Sequence, residues 1–309
     1  MIIKVAVIGA GFMGCNHARV YSELEGCELT GIVDPREAAR SNASKFGAPF
    51  FSSVAELMAV DRPDAVSVAV PTGKHAEVAG FFLKNGMDVM VEKPIAETAA
   101  DAVRLVDAAK STGAVLMVGH IERFNPMVRK IREMLETGSI GRLLSVSTNR
   151  LNPSDRLNDS AVLDLMTHDI DVIHYLTGGA MKPLNSSAFF VGGLEKHVTA
   201  LAQAKGGALC TMNCSLLYPI KRREISLLTE NFLVEGNYMT QQLNVYGREG
   251  MEAENMRPFV KTEEPLKMEL NHFLDCVRQR GDPEVTGEDG ARVLDAALAI
   301  RGLCSGGTA

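Results

Sequence analysis

The first dozen residues restrict the fold of this chain more than any other stretch. Ile3 to Gly14 reads IKVAVIGAGFMG, a β-favouring apolar run that breaks directly into glycines, which predicts a buried strand, a tight turn and a helix. Gly9 permits the turn, Gly11 lets the backbone approach a pyrophosphate closely, and Gly14 lets the helix pack on the strand. Phe12 and Met13 complete the loop, and the helix start offers N–H groups and positive dipole to phosphates. A second apolar run, Leu29 to Val33, ends at Asp34, twenty positions after Gly14. A carboxylate at about that separation hydrogen-bonds the adenosine ribose hydroxyls. It also repels a 2′-phosphate, which favours NAD; Arg36 leaves an opening for NADP.

The same alternation continues. Apolar runs at Ala65 to Val70, Asp88 to Val91 and Val115 to Val118 are separated by segments of helical period, and Ser53 with Glu56 forms a capping box. Strands alternating with helices predict right-handed βαβ units and a doubly wound parallel sheet, with ligands at the carboxyl ends of its strands. Those ends carry Pro71, Thr72, His75, Glu92, Lys93 and the run Gly119 to Pro126. Thr72, His75, Glu92 and Lys93 are therefore candidates to line the nicotinamide half of a bound dinucleotide.

Past Gly119 the pattern changes. A helix at Pro126 to Glu136 and a strand at Arg142 to Leu151 precede a polar loop, Pro153 to Ser160, from which Asp159 or Ser160 can cap a helix to Leu176. Strands of alternating polarity follow, as in Leu209 to Leu216, where Cys210, Met212, Cys214 and Leu216 share one face. This predicts a mainly antiparallel sheet with one buried face and one open face. Helices at Lys267 to Arg280 and Gly290 to Leu303 close the chain before a frayed tail, Ser305 to Ala309. At 309 residues two domains are expected, divided as 1–119 and 120–309. The net charge of -6 argues against nucleic acid as a partner. The apolar N-terminus lacks a basic flank and cleavage site, no run suffices to span a bilayer, and the six scattered cysteines suit neither a disulfide framework nor a zinc site. A cytoplasmic protein without a metal is the expectation.

Two groups can do chemistry. Lys93 is either a surface lysine on a loop or an ammonium that polarises a substrate oxygen, and its place at a strand end favours the second. In Asp164-Leu-Met-Thr-His168-Asp169-Ile-Asp171 the residues Asp164, His168 and Asp171 share one helical face. That face is either a solvated stripe or an acid/base pair, in which His168 exchanges a proton near neutral pH and a carboxylate one turn away orients it. His17, His120, His174 and His197 have no such arrangement; His17 and His174 read as packed or capping residues, and His120 as a wall.

With GAGFMG, PTGKH, EKP and DLMTHD in this order, the whole chain resembles the Gfo/Idh/MocA family of NAD(P)-dependent sugar oxidoreductases. The resemblance implies an N-terminal Rossmann domain and a C-terminal α/β domain whose large open-faced sheet makes a homodimer or homotetramer. It implies Lys93, Asp164 and His168 as catalytic residues, with His168 the acid/base, and Thr72 and His75 near the nicotinamide ribose. Asp171, with Glu122 or Arg123, falls in substrate-contacting positions, and Asn149 is taken as a further substrate contact. Gly119 to Pro126, GHIERFNP, resembles the same strand end in the family's UDP-sugar 3-dehydrogenases, which implies oxidation of a sugar 3-hydroxyl on a nucleotide sugar. A dehydrogenase of a free polyol such as inositol and a non-catalytic NAD-binding regulator are the alternatives. Arg150, Arg156, Lys221, Arg222 and Arg223 are candidates to meet a diphosphate, although a charge run such as 221–223 also reads as solvated surface.

Overall fold

The computed structural model describes residues 2–154, 159–249 and 252–307. Arg156 and the last two residues lie outside them. The chain divides into two compact units, 1–120 with 266–291, and 121–265 with 292–309.

In the first unit β1 (Ile3–Ile8), α1 (Phe12–Glu23), β2 (Cys27–Val33), α2 (Arg40–Lys45), β3 (Phe50–Phe51), α3 (Val54–Val60), β4 (Ala65–Val68), α4 (His75–Lys84), β5 (Asp88–Glu92), α5 (Ala99–Thr112) and β6 (Leu116–Gly119) follow in turn. The six strands pair in parallel in the order β3-β2-β1-β4-β5-β6. This is a doubly wound sheet with its switch point beside β1. Val5, Val7, Val66, Val68, Val89 and Val91 are fully buried, as strands covered on both faces require. Helix starts match local chemistry: Ser53 and Thr98 accept from Glu56 and Asp101 backbone N–H groups at 3.2 and 3.1 Å.

Leu266–Ala291 also belongs to this unit, so it is not a single stretch ending at 119. The reason is close packing and charge. Gly287 and Gly290 lie so near Leu116 and Val118 that an added Cβ would come within 2.7 Å of each side chain. Met117 bridges Thr286, and Arg280 donates to Asp88 at 2.6 Å.

The second unit contains α6 (Pro126–Glu136), β7 (Leu143–Pro153), α7 (Thr167–Thr177), β8 (Lys182–Val191), β9 (Leu194–Gln203), β10 (Leu209–Ser215), β11 (Leu217–Thr229), β12 (Phe232–Asn237), β13 (Gln242–Glu249) and β14 (Glu252–Met256). Helix α8 (Pro265–Gln279) then lies almost wholly in the first unit, while α9 (Gly287–Leu303) begins there and ends in the second, followed by β15 (Cys304–Ser305). The sheet order is β14-β13-β12-β11-β7-β10-β9-β8-β15, antiparallel except at β7/β10 and β8/β15. The chain end is therefore not frayed as expected: Cys304 and Ser305 pair with Ser186 and Ser187, and Phe190 donates to the Gly307 carbonyl at 2.9 Å. One face of the sheet packs on helices, with Cys210, Met212, Cys214, Ile225 and Leu227 buried among Ile131, Leu165, Ile170 and Ile300. Ser147, Thr199, Thr211 and Asn213 lie on the opposite face, where Ser147 bonds Thr211 and Thr199 bonds Asn213 at 2.7 and 2.8 Å.

Candidate active site

The glycine turn is built as its sequence demands. Gly9 has φ +100°, and a Cβ there would meet the Ala69 carbonyl at 2.6 Å; a Cβ on Gly14 would lie 1.7 Å from the Gly9 carbonyl oxygen. Gly11 differs, because a Cβ there would meet nothing within 4 Å. It caps α1 without a side chain of its own, and the following Phe12 is 75% exposed. An open glycine at a helix start is the cradle a pyrophosphate needs, so the residues fit a dinucleotide.

Asp34 is buried at the end of β2. Its Oδ2 accepts from the Ala10 backbone N–H at 2.9 Å and from Arg36 Nη2 at 2.8 Å, while Oδ1 accepts from the Arg36 backbone N–H and Nε, both at 2.9 Å. The Arg36 hydrogen bonds lower its pKa to about 2 against the opposing effect of burial. The carboxylate expected to read the ribose thus arrives paired with a largely exposed guanidinium.

The other expected residues of this unit, Pro71, Thr72, His75, Glu92 and Lys93, sit at or just past the ends of β4 and β5. Thr72 begins a short 3₁₀ turn after the exposed Pro71. His75 is buried at the start of α4 between two carbonyls, Pro94 at Nδ1 and Val70 at Nε2, each at 2.9 Å. Burial lowers its pKa, although both carbonyls act to raise it. A neutral ring donates to one of them only. Glu92 is tied to His17 Nε2 at 2.9 Å and to the Lys93 backbone N–H at 3.2 Å. Burial acts to raise the Glu92 pKa, but His17, with Lys93 and His75, brings it below its ordinary value. His17 therefore does have a carboxylate partner, contrary to expectation; it comes from 75 positions away, beyond the reach of helical spacing. Lys93 is half-buried beside it.

In the second unit the Asp164 to Asp171 segment is not a regular helix. Ser160 caps it as expected, its Oγ accepting from the Leu163 backbone N–H at 3.1 Å, but Val162–Met166 forms a π-helical turn before α7. Such turns recur at functional positions and alter the angular offset between residues four apart. Asp164 and His168 are half-buried. Asp171 does not continue a solvated stripe with them, because it is fully buried. Arg123 grips it with Nε at 2.9 and 3.0 Å and Nη2 at 2.7 Å. Glu122 is buried too, accepting from Arg150 Nη1 at 2.9 Å, while Arg150 Nε donates to Asp169 at 3.0 Å. Burial acts against the Arg150 charge, and Asp169 and Glu122 more than restore it. Periodicity alone did not single out Asp169, nor Tyr238, whose buried ring lies 4.9 Å from the Arg150 guanidinium.

Asn149 is not brought to this group. It precedes Arg150 on β7, so it points through the other face, where it accepts from Asn213 at 3.5 Å. A pocket of about 380 Å³ opens there, lined by Ser147, Asn149, Glu224, Ser226, Glu235 and Asn244.

A doubly wound sheet with a phosphate-cradling glycine turn, followed by a unit built on a large mixed sheet, defines a dinucleotide-dependent oxidoreductase. Residues 3–120 match the model of the oxidoreductase family with the NAD-binding Rossmann fold, and residues 128–251 match the GFO/IDH/MocA C-terminal domain. The chain belongs to the Gfo/Idh/MocA family. It is 27% identical over 312 residues to the UDP-N-acetylglucosamine 3-dehydrogenase of Acidithiobacillus ferrooxidans, covering 97% of this chain and 96% of that one. It superposes on the solved structure of that enzyme, GnnA, with a TM-score of 0.88 at 26% identity, over 98% of each chain. It is also 24% identical over 318 residues to the scyllo-inositol 2-dehydrogenase (NAD(+)) of Bacillus subtilis, covering 96% and 92%. Among the described residues, no helix is long and apolar enough to cross a membrane.

Proposed function

We propose that this oxidoreductase removes hydride from the 3-hydroxyl carbon of a UDP-sugar, UDP-N-acetylglucosamine first among them, to give the 3-keto nucleotide sugar. The similarity to a UDP-N-acetylglucosamine 3-dehydrogenase along nearly the whole chain carries this reading. NAD held at Gly9 to Gly14 supplies the hydride acceptor. His168 takes the hydroxyl proton as the C–H bond breaks, so that alcohol and NAD become ketone, NADH and one proton. Asp164 orients the imidazole and supports its cationic form. Lys93 donates to the reacting oxygen and favours the charge that develops there. Arg123 and Asp171, already paired with each other, act as the support for α7; Glu122 acts through Arg150. NAD is preferred to NADP because a carboxylate at the end of β2, Asp34, repels a 2′-phosphate, and the open face of the nine-stranded sheet serves for self-association.

Oxidation of a free cyclitol is the second reading, favoured by the similarity to a scyllo-inositol 2-dehydrogenase. NADH formation with UDP-N-acetylglucosamine, other UDP-sugars, free sugars and inositols, each with a ketone trap, separates the two. Signal with UDP-sugars alone supports the first; signal with inositols alone supports the second.

A further inference from the structure

Strands β7 and β11 place Arg223 directly opposite Arg150, on the sheet face that packs against α7. Like charges at directly opposed positions destabilise a sheet unless something compensates them. Arg150 is compensated by Glu122 and Asp169. Arg223 is half-buried, and its Nε is shielded from solvent with no hydrogen-bond partner among the described residues. One Arg150 nitrogen, Nη2, is in the same condition. Lys221 lies two residues before Arg223 on the same strand, its pKa lowered chiefly by the Arg223 charge. The Arg223 pKa is lowered by burial and by Arg150, with Glu122, Asp169 and Asp164 acting in the opposite sense.

A buried donor without an acceptor is costly, and a cation beside two others more so. We propose that Arg223, with Lys221, is a built receptor for a phosphate group of the substrate, adjoining the Asp164 to His168 segment. A planar guanidinium suits such a group because its parallel N–H donors match phosphate oxygens. The assignment rests on the nucleotide-sugar reading and makes it more specific: Arg223 recognises the diphosphate, while Arg150 is held by its carboxylates as the floor. Free phosphate offers the same chemistry, so the test must separate it from a nucleotide.

The test is calorimetric titration of the full-length, NAD-saturated protein with UDP, UMP, uridine and pyrophosphate, using wild type, Arg223→Met and Arg223→Lys. The expected result is a 10- to 100-fold weaker UDP affinity in Arg223→Met, the scale of one charge-assisted hydrogen bond. Arg223→Lys, which keeps the charge but not the fork, should fall between. Uridine binding should be equal in all three, and pyrophosphate should bind more weakly than UDP. Pyrophosphate binding as tightly as UDP would overturn the nucleotide in favour of a plain phosphate site. Equal UDP affinity in wild type and Arg223→Met, or no UDP binding by wild type, would overturn the proposal.

Thermal unfolding separates this role from a structural one: relief of the Arg150–Arg223 repulsion should leave the Arg223→Met midpoint at or above that of wild type, and a lower midpoint would mark Arg223 as a structural residue. The two proposals fail differently. Arg223-dependent UDP binding without NAD reduction by any UDP-sugar would keep the receptor and end the dehydrogenase reading. Turnover of UDP-N-acetylglucosamine with an unchanged KM in Arg223→Met would do the reverse.

Discussion

Arg123 holds Asp171 through three contacts of 2.7 to 3.0 Å, and both side chains are almost completely buried. Removing one partner of such a pair strands the other charge, at a cost of about 3–5 kcal/mol. Asp171→Asn should lose about that much unfolding free energy in a denaturant titration, with the slope unchanged. A variant as stable as wild type but with a raised KM would instead return Asp171 to direct substrate contact.

The Asp34–Arg36 pair predicts a specific response to acid. The Asp34 pKa is lowered to about 2 from 3.8, so the folded state releases its proton more readily than the unfolded chain. Its stabilising contribution is therefore present above about pH 4 and is lost as pH falls towards 2. Arg36→Ala removes the largest cause of the shift. Its acid-unfolding midpoint, followed by circular dichroism, should move to higher pH; an unmoved midpoint would show that the backbone N–H groups of Arg36 and Ala10 sustain the shift.

Gly14 leaves no room for any side chain, since its added Cβ would overlap the Gly9 carbonyl. Gly14→Ala should abolish measurable NAD binding and lower the thermal midpoint together, because the turn and the α1–β1 packing share that contact. Gly11→Ala meets open space and should weaken NAD binding while the midpoint of the unliganded protein stays within a degree or two of wild type. Identical behaviour of the two variants would contradict this division of roles.

The parallel sheet was legible because each of its signals is local: apolar runs bounded by glycine or proline, and the capping box of Ser53 with Glu56. The role of Asp171 was not, because helical spacing cannot tell a solvated carboxylate from one buried against Arg123, 48 residues earlier. The same holds for His17 with Glu92. Asn149 was misplaced for a related reason. On β7 the helix-packed face carries Thr148 and Arg150 while the other carries Ser147 and Asn149, so polarity does not alternate and the faces look alike in sequence. The return of 266–291 to the first unit had no marker either, since Gly290 reads as a helix start, and nothing in the sequence marks Gly287 and Gly290 as contacts for Leu116 and Val118.

His168 and Lys93 separate by kinetics. His168→Ala should lower turnover by roughly 10² to 10⁴ while NAD affinity stays within a factor of two, the scale for losing a general base. An unchanged rate would remove His168 from proton transfer and move attention to Lys93.

The most direct measurement uses UDP-N-acetylglucosamine carrying deuterium at C3, incubated with the protein, NAD and a ketone trap, with mass spectrometry of the nicotinamide product. The expected result is reduced cofactor bearing that deuterium and a slowed rate of its formation. Reduced cofactor without deuterium would place the oxidation at another carbon. No reduction with this sugar, alongside reduction with an inositol, would contradict the nucleotide-sugar assignment itself.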